Sequence, residues 1–121
     1  MRNLSKKDLR ELIDVSSGRK KADLLIKNCK IVDVYNSKIY NGDIAVVNGR
    51  IAGVGRYEAE EVVDAEGSYA IPGFIDAHIH IESSYVSPEE LGRLIVPCGT
   101  TTIIADPHEI VNVCGIDGLD Y

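Results

Sequence analysis

Apolar positions along the chain change their spacing three times, and each change predicts a different kind of element. Near the start, Leu9, Leu12 and Ile13 recur at helical intervals. Ser5 offers an N-cap with Asp8 three residues on, Leu4 and Leu9 form the flanking hydrophobic staple, and Gly18 is a stop signal. The apolar stripe of this helix is expected to pack onto its own chain. From residue 22 to residue 54 the pattern shortens to strands over 24–26, 30–34, 43–47 and 50–54, rich in β-branched and aliphatic residues. Asn36-Ser37 and Asn41-Gly42 punctuate them. Asn48-Gly49 predicts a two-residue hairpin, because both central residues of a type I′ turn need positive φ. Residues 61–65 read as a weaker strand before a Glu66-Gly67 turn, and nothing in 22–70 offers catalytic chemistry.

At Ile71-Pro72-Gly73 the pattern switches to strict alternation. Ile75, Ala77, Ile79 and Ile81 are expected on one face of a strand, with Phe74, Asp76, His78, His80 and Glu82 on the other, since strand side chains alternate with period two. A second helix follows. Ser87 is its N-cap, Pro88 its first residue, Glu90 the partner in a capping box, and Val86 with Leu91 its staple. Leu91, Leu94 and Ile95 form its expected buried stripe, and Pro97 and Gly99 mark its end. Thr100-Thr101-Thr102-Ile103-Ile104-Ala105 then reads as a buried strand. Strand, helix and strand joined this way make a βαβ crossover and imply parallel pairing.

Composition narrows the classes. The 121 residues suffice for one small domain, and 45% hydrophobic with 26% charged residues predicts folding rather than disorder. Thirteen basic against nineteen acidic residues give a net charge of -6, and no basic run exceeds Arg19-Lys20-Lys21. General nucleic-acid binding is therefore excluded. The longest aliphatic runs, such as Ile44-Ala45-Val46-Val47, are too short to span a membrane, and the charged first fifteen residues predict no signal peptide. Three cysteines without C-x-x-C spacing argue against a disulfide framework or zinc knuckle, so they are read as apolar fillers in a cytoplasmic protein.

In parallel α/β proteins, functional side chains gather at the C-terminal ends of strands. Here the first strand is followed by His78, His80, Glu82 and Ser83, and the second by Asp106, His108 and Glu109. Two histidines at i and i+2 aim their rings the same way, which suits two ligands of one divalent metal. Glu82 has two readings, a carboxylate that orients an imidazole or a solvated strand end. His108 and Glu109 also have two, lining the same cavity mouth or capping the next helix. Ser83 and Asp106 are further pocket candidates, and Asp76, deeper in the strand, is expected to hydrogen-bond near the barrel interior rather than act as acid or base.

Residues 72–82, with Asp64 to Gly67 before them, resemble the amidohydrolase superfamily, whose barrel opens on a strand ending in His-x-His. The blocks Ala77-His78-Ile79-His80-Ile81-Glu82-Ser83-Ser84 and Ala105-Asp106-Pro107-His108-Glu109-Ile110 resemble the adenine deaminase family within it. The resemblance implies an α/β fold. Residues 1–71 would be a helix plus part of a small β-sandwich domain, and 72–121 the opening βαβ of a metal-dependent (β/α)8 barrel. It implies hydrolysis of adenine to hypoxanthine and ammonia at a divalent metal centre, manganese or iron with zinc also admissible. His78 and His80 match the first two metal ligands. The metal would activate water for attack at C6 of adenine, and a carboxylate would shuttle the proton to ammonia. A barrel takes about 250 residues and eight strands. The proton-shuttling carboxylate and further ligands are therefore expected beyond residue 121, and the 121 residues alone are expected to be inactive. The expected partners are adenine and either further copies of the chain or the remaining part of the same enzyme, with no nucleic acid and no membrane. Two other readings stand. One is an amidohydrolase acting on a cyclic amide or another amino-purine. The other is a non-catalytic module that binds a metal or a partner.

Overall fold

Ser5 and Asp8 start the first helix. In the structure, a computed structural model that describes residues 4–120, α1 runs Lys6–Ser16. Ser5 Oγ accepts from the Asp8 N–H at 3.1 Å, and the Asp8 carboxylate accepts from the Ser5 N–H at 3.2 Å. Two donors that a helix start leaves free are thereby satisfied. Gly18 follows at φ 74°, in the left-handed region that glycine enters without strain. The buried stripe differs from the expected one. Val15 is fully buried with Leu12 packed beside it, while Leu9 and Ile13 remain 46% and 49% exposed. Polar contacts set this roll of the helix: Ser16 Oγ donates to the Ala52 carbonyl at 2.7 Å, and Asn48 Nδ2 donates to Glu11 at 2.6 Å.

The chain divides into two units at Ile71 and Pro72. In the first, β1 (Ala22–Asp33), β2 (Lys38–Val47), β3 (Arg50–Val54), β4 (Ala59–Asp64) and β5 (Tyr69–Ala70) form one sheet. Its order is β3-β2-β1-β4, with β5 also on β1. β2 runs antiparallel to β1 and β3, whereas β4 and β5 run parallel to β1. One sheet layer with a helix on it thus stands where part of a sandwich is expected. The Asn48-Gly49 turn has φ of 50° and 69°, the positive pair that its sequence predicts.

The strands predicted at 24–26 and 30–34 are one strand, and Asn41-Gly42 lies inside β2 rather than breaking it. A bulge explains both. Ile26 pairs with Ile44 and Cys29 with Gly42, so Lys27 and Asn28 together stand opposite Asp43. Asn28 takes φ 57°, its N–H donates to Asp43 Oδ1 at 2.9 Å, and its Nδ2 donates to the Asp64 carboxylate at 2.8 and 2.9 Å. That side-chain bond, then the Glu66 N–H, holds the Asp64 carboxyl below its usual range. An extra residue reverses which face later side chains meet. Leu25 packs with Val15, Ala22, Ala45 and Val47 on one side, while Cys29 and Ile31 pack with Ile44 on the other.

The second unit contains β6 (Phe74–Ile79), a 3-10 turn at Ile81–Ser84, α2 (Pro88–Ile95), β7 (Thr100–Ala105) and α3 (His108–Cys114). β6 and β7 pair in parallel, with Ile75 opposite Thr102 and Ile79 opposite Ala105. With α2 between them they form the expected βαβ unit. Ser87 Oγ accepts from the Glu90 N–H at 3.4 Å, but the Glu90 carboxylate goes forward to Arg93 at 2.6 Å instead of back to the cap. Leu91 is the buried residue of α2, while Leu94 is 61% exposed. β7 is also largely exposed, contrary to the expected buried strand, because among the described residues its sheet has two strands. Of the cysteines, Cys29 is buried as expected, but Cys98 and Cys114 are exposed. No helix among the described residues is long and apolar enough to cross a membrane.

Gly73 opens β6 for a steric reason. A Cβ there would lie 2.0 Å from Thr101 Oγ1, 2.5 Å from its Cγ2 and 2.8 Å from its Cβ. Thr101 is short, branched and held in β7, so it cannot withdraw. Gly73→Ala should therefore destabilise the unit by about 1–3 kcal/mol, the range for overpacking. Urea unfolding followed by circular dichroism checks this. The penalty should vanish when Gly73→Ala is made on a Thr101→Gly background.

Candidate metal centre

Parallel pairing brings the ends of β6 and β7 side by side. Ile79 stands opposite Ala105, so the next residues, His80 and Asp106, leave the sheet at one level. The Asp106 N–H donates to the Ile79 carbonyl at 2.9 Å, and His80 Nδ1 lies 2.8 Å from the Asp106 carbonyl. A carbonyl can only accept, so Nδ1 of His80 carries the proton and Nε2 keeps its lone pair. The strand ends earlier than its alternation predicts. His80 already precedes the 3-10 turn, and a register shift falls between Asp76 and Ile79. Asp76 accepts from the His78 N–H at 3.1 Å.

One donor atom from each of His78, His80 and Asp106 lies within 4.8 Å of the others. The His78 and His80 rings are 4.9 Å apart, and so are those of His80 and His108. The Asp106 carboxylate sits among them, 3.8 Å from His78 Nε2 through one oxygen and 3.3 Å from His108 Nδ1 through the other. The hydrogen bond from His108 lowers the Asp106 carboxyl below its usual range, helped by the nearby charges of His108, His80 and His78. Two imidazole nitrogens and one carboxylate oxygen form a donor set that suits a divalent transition metal. His78 is 69% exposed on its side chain, so the cluster is accessible from solvent.

The remaining candidates take other positions. Glu82 leaves the polar face of the strand and reaches the start of α3. Its carboxylate accepts from the N–H groups of Glu109 at 3.0 Å and Ile110 at 3.3 Å. Its own backbone N–H, then those of Ile110 and Glu109 and the charge of His80, lower its carboxyl. Ser83 Oγ donates to Glu109 Oε2 at 2.8 Å. His108 and Glu109 form the first turn of α3. An open, mainly apolar cavity of about 820 Å³ lies beyond Glu82, lined also by Ile81, Val86, Pro107, Ile110, Cys114 and Leu119.

Residues 69–120 match the Amidohydrolase family. Curated relatives extend the likeness over almost all of the chain. Adenine deaminase 2 of Desulfotalea psychrophila is 67% identical over 98% of this chain and 20% of its own length. The adenine deaminase of Ligilactobacillus salivarius is 61% identical over 98% of this chain and 21% of its own length. The chain thus spans about a fifth of the length of these relatives. Among solved structures, the N-acyl-D-glutamate deacylase of Bordetella bronchiseptica, complexed with zinc and a phosphonate inhibitor, matches 71% of this chain and 19% of its own. Its TM-score is 0.61 and its identity 32%. The L-hydantoinase of Arthrobacter aurescens matches 71% of this chain and 21% of its own, with a TM-score of 0.58 and 28% identity.

In this unit, Asp106 is the residue whose place the sequence understates. It is expected there as part of a pocket wall, yet its carboxylate lies among the imidazole donors. The signal is available once β6 and β7 are read as parallel strands of matching length. Asp106 then follows β7 at the level where His80 follows β6.

Proposed function

We propose that the chain serves the hydrolytic deamination of adenine to hypoxanthine and ammonia, and that it supplies donors to the divalent metal centre of that reaction. The observation that carries this reading is the convergence of His78, His80 and Asp106 within 4.8 Å. Relatives named adenine deaminase, at 67% and 61% identity, support adenine as the substrate. The neighbours that act on acyl-amino acids and hydantoins stand at 32% and 28%.

His78, His80 and Asp106 would hold the metal, with manganese or iron as the proposed ion. A divalent ion in such a site supplies Lewis acidity and water of lowered pKa. The chain's own residues do the rest of what it contributes. The Asp106 carbonyl fixes the tautomer and orientation of His80, as groups behind a ligand commonly do. His108 holds one oxygen of Asp106 and leaves the other turned toward His78. The exposed side of His78 leaves room for a small substrate to approach.

The test places this sequence in the Desulfotalea psychrophila adenine deaminase in exchange for its own corresponding segment. The manganese-loaded chimera should release ammonia from adenine and leave hydantoin intact. Turnover of hydantoin without turnover of adenine would replace this reading with cyclic-amide hydrolysis.

A further inference from the structure

The 3-10 turn after β6 carries two polar side chains that the donor cluster does not use. Glu82 accepts from the backbone N–H groups of Glu109 and Ile110, and Ser83 donates to the side chain of Glu109. Both therefore grip the first turn of α3. That turn needs a partner from elsewhere. Its N-cap is Pro107, which makes no side-chain cap bond. A helix start leaves its first N–H groups without intrahelical acceptors, and Ser, Thr, Asp or Asn at the cap usually takes one of them. Proline cannot. Glu82 supplies the acceptor from the end of the other strand.

We propose that Glu82 is a positioning residue for the metal centre: by capping α3 from the end of β6, it sets where Asp106 and His108 stand against His78 and His80. This inference rests on the metal-site reading above. Two residues, Asp106 and Pro107, join β7 to α3. Their first end is tied down, because the Asp106 N–H is bonded to Ile79 and the Asp106 carbonyl to His80. Their second end moves with the first turn of α3, since His108 is the first residue of that helix. His108 in turn holds one Asp106 oxygen at 3.3 Å. Releasing the turn would therefore free His108 first and the carboxylate second, with the backbone of Asp106 still in place. Ser83 holds the same turn through the Glu109 side chain, which is exposed, so its grip should matter less.

The chain has three histidines, and all three lie in this site. Their ring resonances are therefore direct reporters of it. The experiment compares the chain with its Glu82→Ala, Glu82→Gln and Ser83→Ala variants. Amide hydrogen exchange at Glu109 and Ile110, the three ring spectra, and Co²⁺ affinity with its visible absorption band are read in each. Glu82→Ala should speed exchange at both amides, shift the His108 ring signals and weaken Co²⁺ binding by about 10–100-fold, as loss of a group supporting a ligand does. Glu82→Gln should stay near the parent chain, because an amide oxygen accepts the same two bonds. Ser83→Ala should fall between them.

Faster exchange with unchanged rings and Co²⁺ affinity would reduce Glu82 to a helix cap and overturn the proposal. Glu82→Gln as damaging as Glu82→Ala would also overturn it, by making charge rather than capping the cause. If Glu82→Ala does not fold, the Glu82→Gln comparison still decides. A parent chain that binds no Co²⁺ refutes the metal reading instead, and the rings and amides then test the positioning role alone.

Discussion

His78→Ala in the chimeric enzyme should strip the metal and abolish adenine turnover while leaving the fold intact. His78 is one of three groups whose donor atoms converge, and its side chain is 69% exposed. An exposed side chain contributes little to packing, so the stability change should stay within about 0.5 kcal/mol. The loss of metal affinity should exceed the roughly 10–100-fold seen when only a supporting group is removed. Metal analysis after gel filtration, turnover of adenine and the urea midpoint together check this. His80→Ala should lose metal in the same way. Metal content and rate unchanged in His78→Ala would refute the ligand assignment outright.

That separation of effects follows from how the site is built. The donors sit on the ends of two parallel strands rather than in a core, and the backbone does most of the positioning. The Asp106 backbone is held by the Ile79 carbonyl and by the His80 imidazole. The side chains are thus free to serve a ligand. The cost is that each donor depends on short connections, and α3 with its Glu82 cap closes one of them.

The sequence is informative where a residue has one physical use. Asn48-Gly49 permits a type I′ turn, Ser5 and Asp8 close a helix start, and alternation on 74–79 sets a strand that carries His78 and leads directly into His80. It is less informative where the outcome depends on partners far along the chain. Asn28 looks like a loop residue, yet it makes a bulge because Asp43 and Asp64 are present to hold it. Glu82 continues the alternation on paper, but the N–H groups of Glu109 and Ile110 draw it out of the strand. Leu9 and Ile13 have helical spacing, but the bonds of Ser16 and Glu11 roll α1 toward Leu12 and Val15.

The same roll leads to the largest stability effect expected in the first unit. Leu25 is 4% exposed on the central strand of the sheet, paired with Ala45 on one side and Val62 on the other. It shares a buried cluster with Val15, Ala22, Ala45 and Val47, against which Leu12 and Tyr57 also pack. Of the four buried members, two are alanines with nothing to extend, and two are valines with stiff χ1. These four cannot fill the space that Leu25→Ala would leave. The cost should therefore lie high in the range of about 2–5 kcal/mol for such substitutions. That is a large share of the roughly 5–15 kcal/mol that holds a small domain folded. Leu9→Ala, in the stripe that spacing alone would bury, should cost under about 1 kcal/mol because the side chain is already 46% exposed. Urea unfolding of the two variants discriminates sharply. Equal losses would mean that α1 packs through Leu9 after all, and that the polar contacts of Ser16 and Glu11 do not set its roll.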